Sequence, residues 1–173
     1  MIKNFTIQKI YNDVEGLKEY IKTLEFKEKP FGEETEMNML QDNLKILLNS
    51  FNEALEVKED SGFFRKPGNV VHCEDVPTGR IYVGICPLED AKITFVKHLE
   101  TNSENAYEVK PEEIQGIFND VIFPEKFEET QVINVKAGEI YFFNPAVWHK
   151  VECSLAQIFY LDIKQEIKKD ENA

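Results

Sequence analysis

The spacing of apolar residues divides the chain into a helical start and a body of short strands. In the first third, apolar side chains recur at steps of three and four, which predicts a helix capped by Asn12 or Asp13. A second helix with the same spacing is predicted between Met37 and Leu55, and its apolar face is broad enough to lie against a sheet. We therefore expect N-terminal helices to support the structure that follows.

From residue 61 the pattern changes to short apolar runs separated by Pro, Gly and acidic residues. Several of these runs alternate with period two, which is typical of strands with one buried face. Many short strands with turn residues between them predict a β-sandwich or barrel. The predicted strands cover residues 62–66, 69–73, 80–87, 92–98, 131–135, 139–143 and 156–163.

A long segment, residues 99–130, interrupts the strand pattern and is expected to leave the sheet. Within it, residues 111–118 predict a brief helix, because Pro111 suits the first turn and two glutamates follow near the positive end of the helix dipole. Excursions of this length often cover a functional site.

Nothing in the sequence marks a boundary between domains. The chain has 173 residues and contains no internal repeat and no Gly/Ser-rich linker. We expect a single domain in which residues 1–60 form a helical support, residues 61–163 form the β core, and residues 164–173 form a charged tail that frays.

Composition and charge exclude several classes of protein. Twenty Lys and Arg residues stand against 32 Asp and Glu residues, and the net charge of −12 disfavours duplex nucleic acid as a partner. No apolar run reaches the roughly 18 residues that a membrane span requires, and the N-terminus lacks the apolar stretch of a signal peptide. Three widely spaced cysteines form no disulfide framework. These features predict a soluble, cytoplasmic protein.

The candidate chemistry rests on two of the three histidines. His72 and Glu74 flank Cys73 on a predicted strand, so both project to the same face. His149 follows an apolar strand and an Asn-Pro turn. Two imidazoles and one carboxylate form a facial set that leaves three metal positions open, which suits non-haem Fe(II). His98 has no such partners, and we interpret it as structural or surface-exposed.

Two motifs carry a resemblance to a known superfamily. The run from Gly138 to His149, Gly-Glu-x5-Pro-x3-His, resembles the second conserved motif of the cupins, whose fold is a double-stranded β-helix or jelly roll. Within the cupin superfamily, His-x-Glu at residues 72–74 followed by a distal His resembles the 2-oxoglutarate- and Fe(II)-dependent oxygenases. The resemblance covers roughly residues 62–163.

The resemblance implies a mainly β jelly roll preceded by N-terminal helices. It also implies a dioxygenase, acting as a hydroxylase, in which Fe(II) is held by His72, Glu74 and His149 and 2-oxoglutarate is the cosubstrate. The prime substrate is left open between a small molecule and a protein side chain.

The residues that would hold 2-oxoglutarate depart from the common pattern. Many members of the family place a basic residue shortly after the distal His, but residues 154–160 contain neither Arg nor Lys. Jumonji-type members instead place a Lys on the strand after His-x-Asp/Glu. The resemblance therefore implies Lys92 as the anchor, with Arg80 as its competitor and Tyr82 as an additional hydrogen-bond donor.

Two other classes of function stay open at this point. A cupin-like protein that binds a metal or small molecule without 2-oxoglutarate chemistry is favoured by the missing basic residue. A non-catalytic acidic interaction protein would keep the jelly roll without its chemistry. A nucleophilic pair of Cys73 or Cys153 with a histidine has no support from spacing.

Overall fold

The structure, a computed structural model, describes residues 5–11, 13–36, 55–57, 62–73, 82–144 and 146–163. The strands within these ranges are β1 (Phe5–Tyr11), β2 (Lys27–Lys29), β3 (Gly32–Glu34), β4 (Leu55–Val57), β5 (Phe63–Pro67), β6 (Tyr82–Pro87), β7 (Ala91–His98), β8 (Phe127–Val135), β9 (Glu139–Phe143), β10 (His149–Glu152) and β11 (Ala156–Ile163). The helices are α1 (Val14–Ile21) and α2 (Pro111–Asp120), with short 3-10 turns at Ala106–Glu108 and Pro124–Lys126. No helix in the described ranges has both the length and the apolar character needed to cross a bilayer.

The strands form two antiparallel sheets that face each other across an apolar core. The larger sheet has the order β1-β9-β6-β11-β5-β3-β2, with β4 also paired to β11, and the smaller has the order β10-β7-β8. The alternation along the sequence follows from this arrangement, because every second side chain of the central strands enters the core. The core residues are Phe63, Val83, Ile85, Ile93, Phe95, Val135, Tyr141, Phe143, Val147, Val151, Ala156 and Ile158.

Helix α1 forms where the apolar spacing predicts it. Asp13 is its N-cap, and the Asp13 carboxylate accepts a hydrogen bond from the Gly16 backbone N–H at 3.0 Å. The buried face of the helix packs on the outer side of the larger sheet through a small cluster, whose buried members are Leu17, Ile21, Phe64 and Leu88. The second predicted helix, between Met37 and Leu55, lies outside the described residues except for its last residue, which begins β4.

The N-terminal region also contains strands that the sequence pattern does not predict. Strand β1 pairs with β9 at one edge of the larger sheet, and the β2–β3 hairpin extends the opposite edge through β5. The β2 sequence is Lys-Glu-Lys and is exposed throughout. A polar edge strand carries no period-two apolar signal, so it is not recognisable from patterning.

The segment between β7 and β8 leaves the sheet, as predicted, and carries α2. Ile117 of α2 is buried against Trp148, together with Val71 and Val96. Strand β8 begins at Phe127, before the predicted start at residue 131. The first half of β8 is polar and largely exposed, so the apolar pattern does not reveal it. The excursion therefore packs next to the strand that begins with His149.

Candidate metal centre

Two of the three predicted ligands, His72 and His149, meet at one point of the structure. The backbone N–H of His72 donates to the backbone carbonyl of His149 at 2.8 Å, and the backbone N–H of His149 donates to the backbone carbonyl of His72 at 2.9 Å. This single antiparallel bridge is what remains of the strand predicted at residues 69–73, since Asn69 adopts a left-handed φ of 55°. The two imidazole ring centroids lie 4.3 Å apart.

Both imidazole rings of this histidine pair are held in the same way. The Nδ1 atom of His72 lies 2.7 Å from the Val70 carbonyl oxygen, and the Nδ1 atom of His149 lies 2.7 Å from the Val147 carbonyl oxygen. A carbonyl oxygen only accepts hydrogen bonds, so each Nδ1 carries a proton, and in the neutral form of each ring the lone pair lies on Nε2. Backbone support of this kind is typical of histidines that bind a metal through Nε2.

Aromatic side chains enclose the pair. His72 and His149 are 3% and 1% exposed. The Phe31 ring stacks on His72 with centroids 4.4 Å apart, and the Phe143 ring meets His149 edge-on at 4.7 Å. These contacts restrict rotation of both imidazoles.

The residues of the Gly-Glu-x5-Pro-x3-His motif build the turns that position His149. Gly138 has φ +84° at the turn into β9, and the adjacent Glu139 carboxylate accepts the Lys136 N–H at 2.9 Å. After β9, the Asn144 side-chain oxygen accepts the Ala146 N–H at 2.9 Å. The motif thus acts through turn geometry at both ends of β9.

The residues next to His72 and His149 in the sequence face away from the two imidazoles. Val71 and Cys73 pack in the apolar cluster around Trp148, which is fully buried and is a core aromatic. Glu74, the third predicted ligand, lies outside the described residues.

Cys153 and Cys86 give no support to a nucleophilic alternative. Burial raises the pKa of the Cys153 thiol to about 11, which disfavours the thiolate that a nucleophile requires. Cys86 is completely buried in β6.

Of the cosubstrate residues implied by the resemblance, Lys92 faces away from the histidine pair. In β7 the side chains of Ile93 and Phe95 enter the core, so Lys92 lies on the outer face, where it is half-exposed. Its Nζ atom is 3.7 Å from the carboxylate of Glu152, the residue opposite it in β10. Arg80 lies outside the described residues, and Tyr82 is described only as the first residue of β6.

A buried arginine that the motifs do not indicate lies close to the pair. Arg65 follows Phe63 by two positions in β5, is 3% exposed, and donates from Nε to the Glu34 carboxylate at 2.7 Å. Its guanidinium carbon is 5.2 Å from the Phe63 ring centroid and 5.7 Å from that of Phe31, the ring that stacks on His72. The one signal in the sequence is that Arg65 is one of two arginines in the chain.

A buried phenol also faces the interior. Within the described part of the chain, the Tyr141 hydroxyl is buried and has no hydrogen-bond partner, and burial raises the pKa of this phenol. Its ring stacks on Phe143, which contacts His149. A buried hydroxyl without a partner costs free energy, which a polar ligand in the core would recover.

His98 does not join the pair. It is buried at the C-terminal end of β7, where its Nε2 lies 2.7 Å from the Asp120 carboxylate and its Nδ1 lies 2.8 Å from the Thr101 hydroxyl. Of the two interpretations of His98, the surface-exposed one is wrong because the residue is buried, and these contacts agree with the structural one.

Comparison with known proteins shows the fold. No protein-family model and no curated protein matches the sequence. Among solved structures, HygX from Streptomyces hygroscopicus with nickel, 2-oxoglutarate and hygromycin B bound has a TM-score of 0.55 and 12% identity, over 94% of this chain and 84% of HygX.

Two enzymes of nogalamycin biosynthesis are similar to the same degree. The non-haem α-ketoglutarate-dependent carbocyclase SnoK has a TM-score of 0.54 and 13% identity, over 92% of this chain and 80% of SnoK. The corresponding epimerase SnoN has a TM-score of 0.53 and 12% identity, over 93% of this chain and 79% of SnoN. At this identity the likeness is one of fold, and it confirms the predicted double-stranded β-helix.

Proposed function

We propose that this chain is a non-haem Fe(II)- and 2-oxoglutarate-dependent oxygenase with His72, Glu74 and His149 as its metal ligands. The observation that carries the proposal is the meeting of two imidazoles with their Nδ1–H groups bound to carbonyls, because this leaves Nε2 as the ligand atom of each. The likeness to HygX, which binds nickel and 2-oxoglutarate, supports the same class.

The donor set suits the metal. Two neutral imidazoles and one carboxylate are the ligands that non-haem Fe(II) uses when three positions must stay open. Bound Fe(II) with 2-oxoglutarate would supply oxidation of a C–H bond by O2, coupled to loss of CO2 from the cosubstrate. The role of this chain would be to orient the two imidazoles and, through Phe31 and Phe143, to keep water away from them.

The distal carboxylate of 2-oxoglutarate needs a partner inside the barrel. A carboxylate transferred into an apolar core requires a charge-assisted hydrogen bond. We assign this role to Arg65, whose guanidinium is buried beside Phe31, and a hydrogen bond to the cosubstrate to the Tyr141 hydroxyl. Lys92 is not included, because it lies on the outer face.

We propose a small molecule as the prime substrate. HygX has been crystallised with hygromycin B, and SnoK and SnoN belong to nogalamycin biosynthesis. The net charge of −12 favours a neutral or cationic molecule over a polyanion.

Anaerobic addition of Fe(II) and then 2-oxoglutarate tests the class. Chelation of Fe(II) by the keto acid gives a visible charge-transfer band, which we expect for the wild type and for His98→Gln, but not for His72→Ala or His149→Ala. Iron binding without the band would instead support a cupin-like metal protein. Absence of iron binding would support a non-catalytic protein.

Paired variants of the buried ion pair test the anchor. Arg65→Gln should weaken 2-oxoglutarate binding roughly 10- to 100-fold while Fe(II) binding persists, because one charge-assisted interaction is lost. Glu34→Gln breaks the same ion pair but keeps the guanidinium, so it should bind 2-oxoglutarate within about threefold of wild type. Equal weakening in both variants would mean that Arg65 acts only through the ion pair.

A further inference from the structure

A second cluster of metal-ligating groups lies at the end of β7. His98, Glu100 and Asp120 each offer one ligand atom, and these three atoms all lie within 4.8 Å of one another. His98 is the last residue of β7, Glu100 lies in the turn that follows it, and Asp120 is the last residue of α2. The cluster therefore joins the start of the excursion to the helix that the excursion carries.

The electrostatics around the cluster favour a cation. A cavity of about 390 Å³ opens beside it, and Glu113 adds a third carboxylate to the lining. Within the part of the chain that the structure describes, neither Lys nor Arg lines this cavity. Asp120 also lies at the negative end of the α2 dipole, where an acidic residue is unfavourable unless a positive charge is nearby.

His98 is held in a defined orientation. It is 2% exposed, and its Nε2–H donates to the Asp120 carboxylate at 2.7 Å. The Thr101 backbone N–H approaches Nδ1 at 3.4 Å and the Thr101 hydroxyl lies 2.8 Å from the same atom, which assigns the lone pair to Nδ1. Nε2, the ring nitrogen nearest the carboxylates, therefore carries a proton that a metal ion can displace.

We propose that His98, Glu100 and Asp120 bind a divalent transition-metal cation, with Zn²⁺ as its representative. Imidazole and carboxylate ligand atoms this close together suit Zn²⁺ and similar divalent transition metals. On binding, Nε2 would release its proton to solvent and Nδ1 would take one up from solvent, so the ring would stay neutral and the long contact from the Thr101 backbone N–H to Nδ1 would be given up. Nδ1–H would then donate to the Thr101 hydroxyl, whose own proton can turn to the Ser103 hydroxyl at 2.7 Å.

The chain has three histidines, so the proposal can be tested at single-residue resolution. In ¹⁵N-histidine-labelled protein, long-range ¹H–¹⁵N spectra distinguish the two tautomers, and His98→Gln assigns the His98 signals. Titration with Zn²⁺ should change His98 from the Nε2–H to the Nδ1–H tautomer. His72 and His149 should keep Nδ1–H, whether or not they bind the ion.

Two matched charge changes complete the test. Glu100→Gln removes one proposed ligand at an exposed position and should lower the Zn²⁺ affinity, measured from the His98 tautomer change, about tenfold or more. Glu112→Gln makes the same charge change on the exposed side of α2, outside the cluster, and should leave it within about twofold.

Two results would overturn the site: a His98 Nε2–H signal that persists at saturating Zn²⁺, or equal affinities of the Glu100 and Glu112 variants. Because the signals of the His72–His149 pair are read separately, failure here leaves the proposed function untouched, and the reverse also holds.

Discussion

The histidine pair and His98 are buried to the same degree but differ in the partners of their rings. In the pair, backbone carbonyls hold Nδ1 of both residues. At His98, a carboxylate holds Nε2. A carbonyl partner leaves Nε2 as a lone-pair donor, whereas the carboxylate keeps a proton on Nε2 until a cation displaces it. The partner atom, more than the burial, determines what each imidazole can do.

The side chains that surround the two regions also differ in charge. The pair is enclosed by the rings of Phe31 and Phe143, which fix its geometry and add no charge. His98 lies beside Asp120, Glu100 and Glu113, which create a negative cavity. An apolar enclosure suits a site where a metal must admit a cosubstrate and oxygen, whereas an acidic one suits simple retention of a cation.

The largest effect is expected from His149→Ala. Loss of one of the three proposed ligands should weaken Fe(II) binding about 100-fold or more, beyond the effect of removing a supporting group. Loss of a buried ring packed on Phe143 should lower the free energy of unfolding by about 2–4 kcal/mol. Iron-binding titration and urea unfolding measure the two effects. His149→Gln, which keeps more of the volume, separates them, and wild-type affinity in both variants would exclude His149 as a ligand.

The next effect is on stability, with no change expected in iron binding at the histidine pair. Asp120→Ala removes the acceptor of the His98 Nε2–H and should lower the free energy of unfolding by about 1–3 kcal/mol, as measured by urea denaturation. Asn119→Ala, at the exposed neighbouring position, should change it by less than about 0.5 kcal/mol. Fe(II) binding at the histidine pair should be unchanged in both, and a loss in Asp120→Ala would show that the two regions are not separate.

Much of the fold was predictable because burial leaves a periodic trace. The central strands β6, β7, β9 and β11 lie close to their predicted bounds, since one face of each is covered. The β2–β3 hairpin, which ends the larger sheet, buries little and leaves no such pattern. Helix α1 was predictable from its cap and its spacing.

The part of the candidate site that a local turn motif positions was predictable from the sequence. The Gly138 and Asn144 turns are local, so the position of His149 can be read from the chain. The role proposed for Arg65 depends on β5 pairing with β3 and β11, and no spacing reports such long-range pairing. The outward direction of Lys92 does follow from strand parity, because it precedes the inward-facing Ile93 by one position.

A smaller effect is expected from the aromatic enclosure. Phe31→Leu removes the ring that stacks on His72 but keeps an apolar side chain, and it should weaken Fe(II) binding about three- to tenfold through looser orientation of the imidazole. Phe26→Leu, which removes a ring that contacts Lys66 and not the pair, serves as the control. Equal affinities of the two variants would mean that the carbonyl hydrogen bond alone orients His72.

The smallest effect tests whether the two regions are coupled. The Ser103 hydroxyl accepts the Trp148 Nε1–H at 3.2 Å and lies 2.7 Å from the Thr101 hydroxyl, so it links the His98 cluster to the residue before His149. Ser103→Ala should lower the free energy of unfolding by about 1 kcal/mol, because the indole N–H loses its acceptor, yet change Fe(II) affinity by less than about twofold. The carbonyl of Val147, and not the indole, holds the His149 ring, so orientation of the ligand should survive. An iron-affinity loss of tenfold in Ser103→Ala would instead require that the His98 cluster orients His149 through this hydroxyl, and measurement of both quantities on one preparation distinguishes the cases.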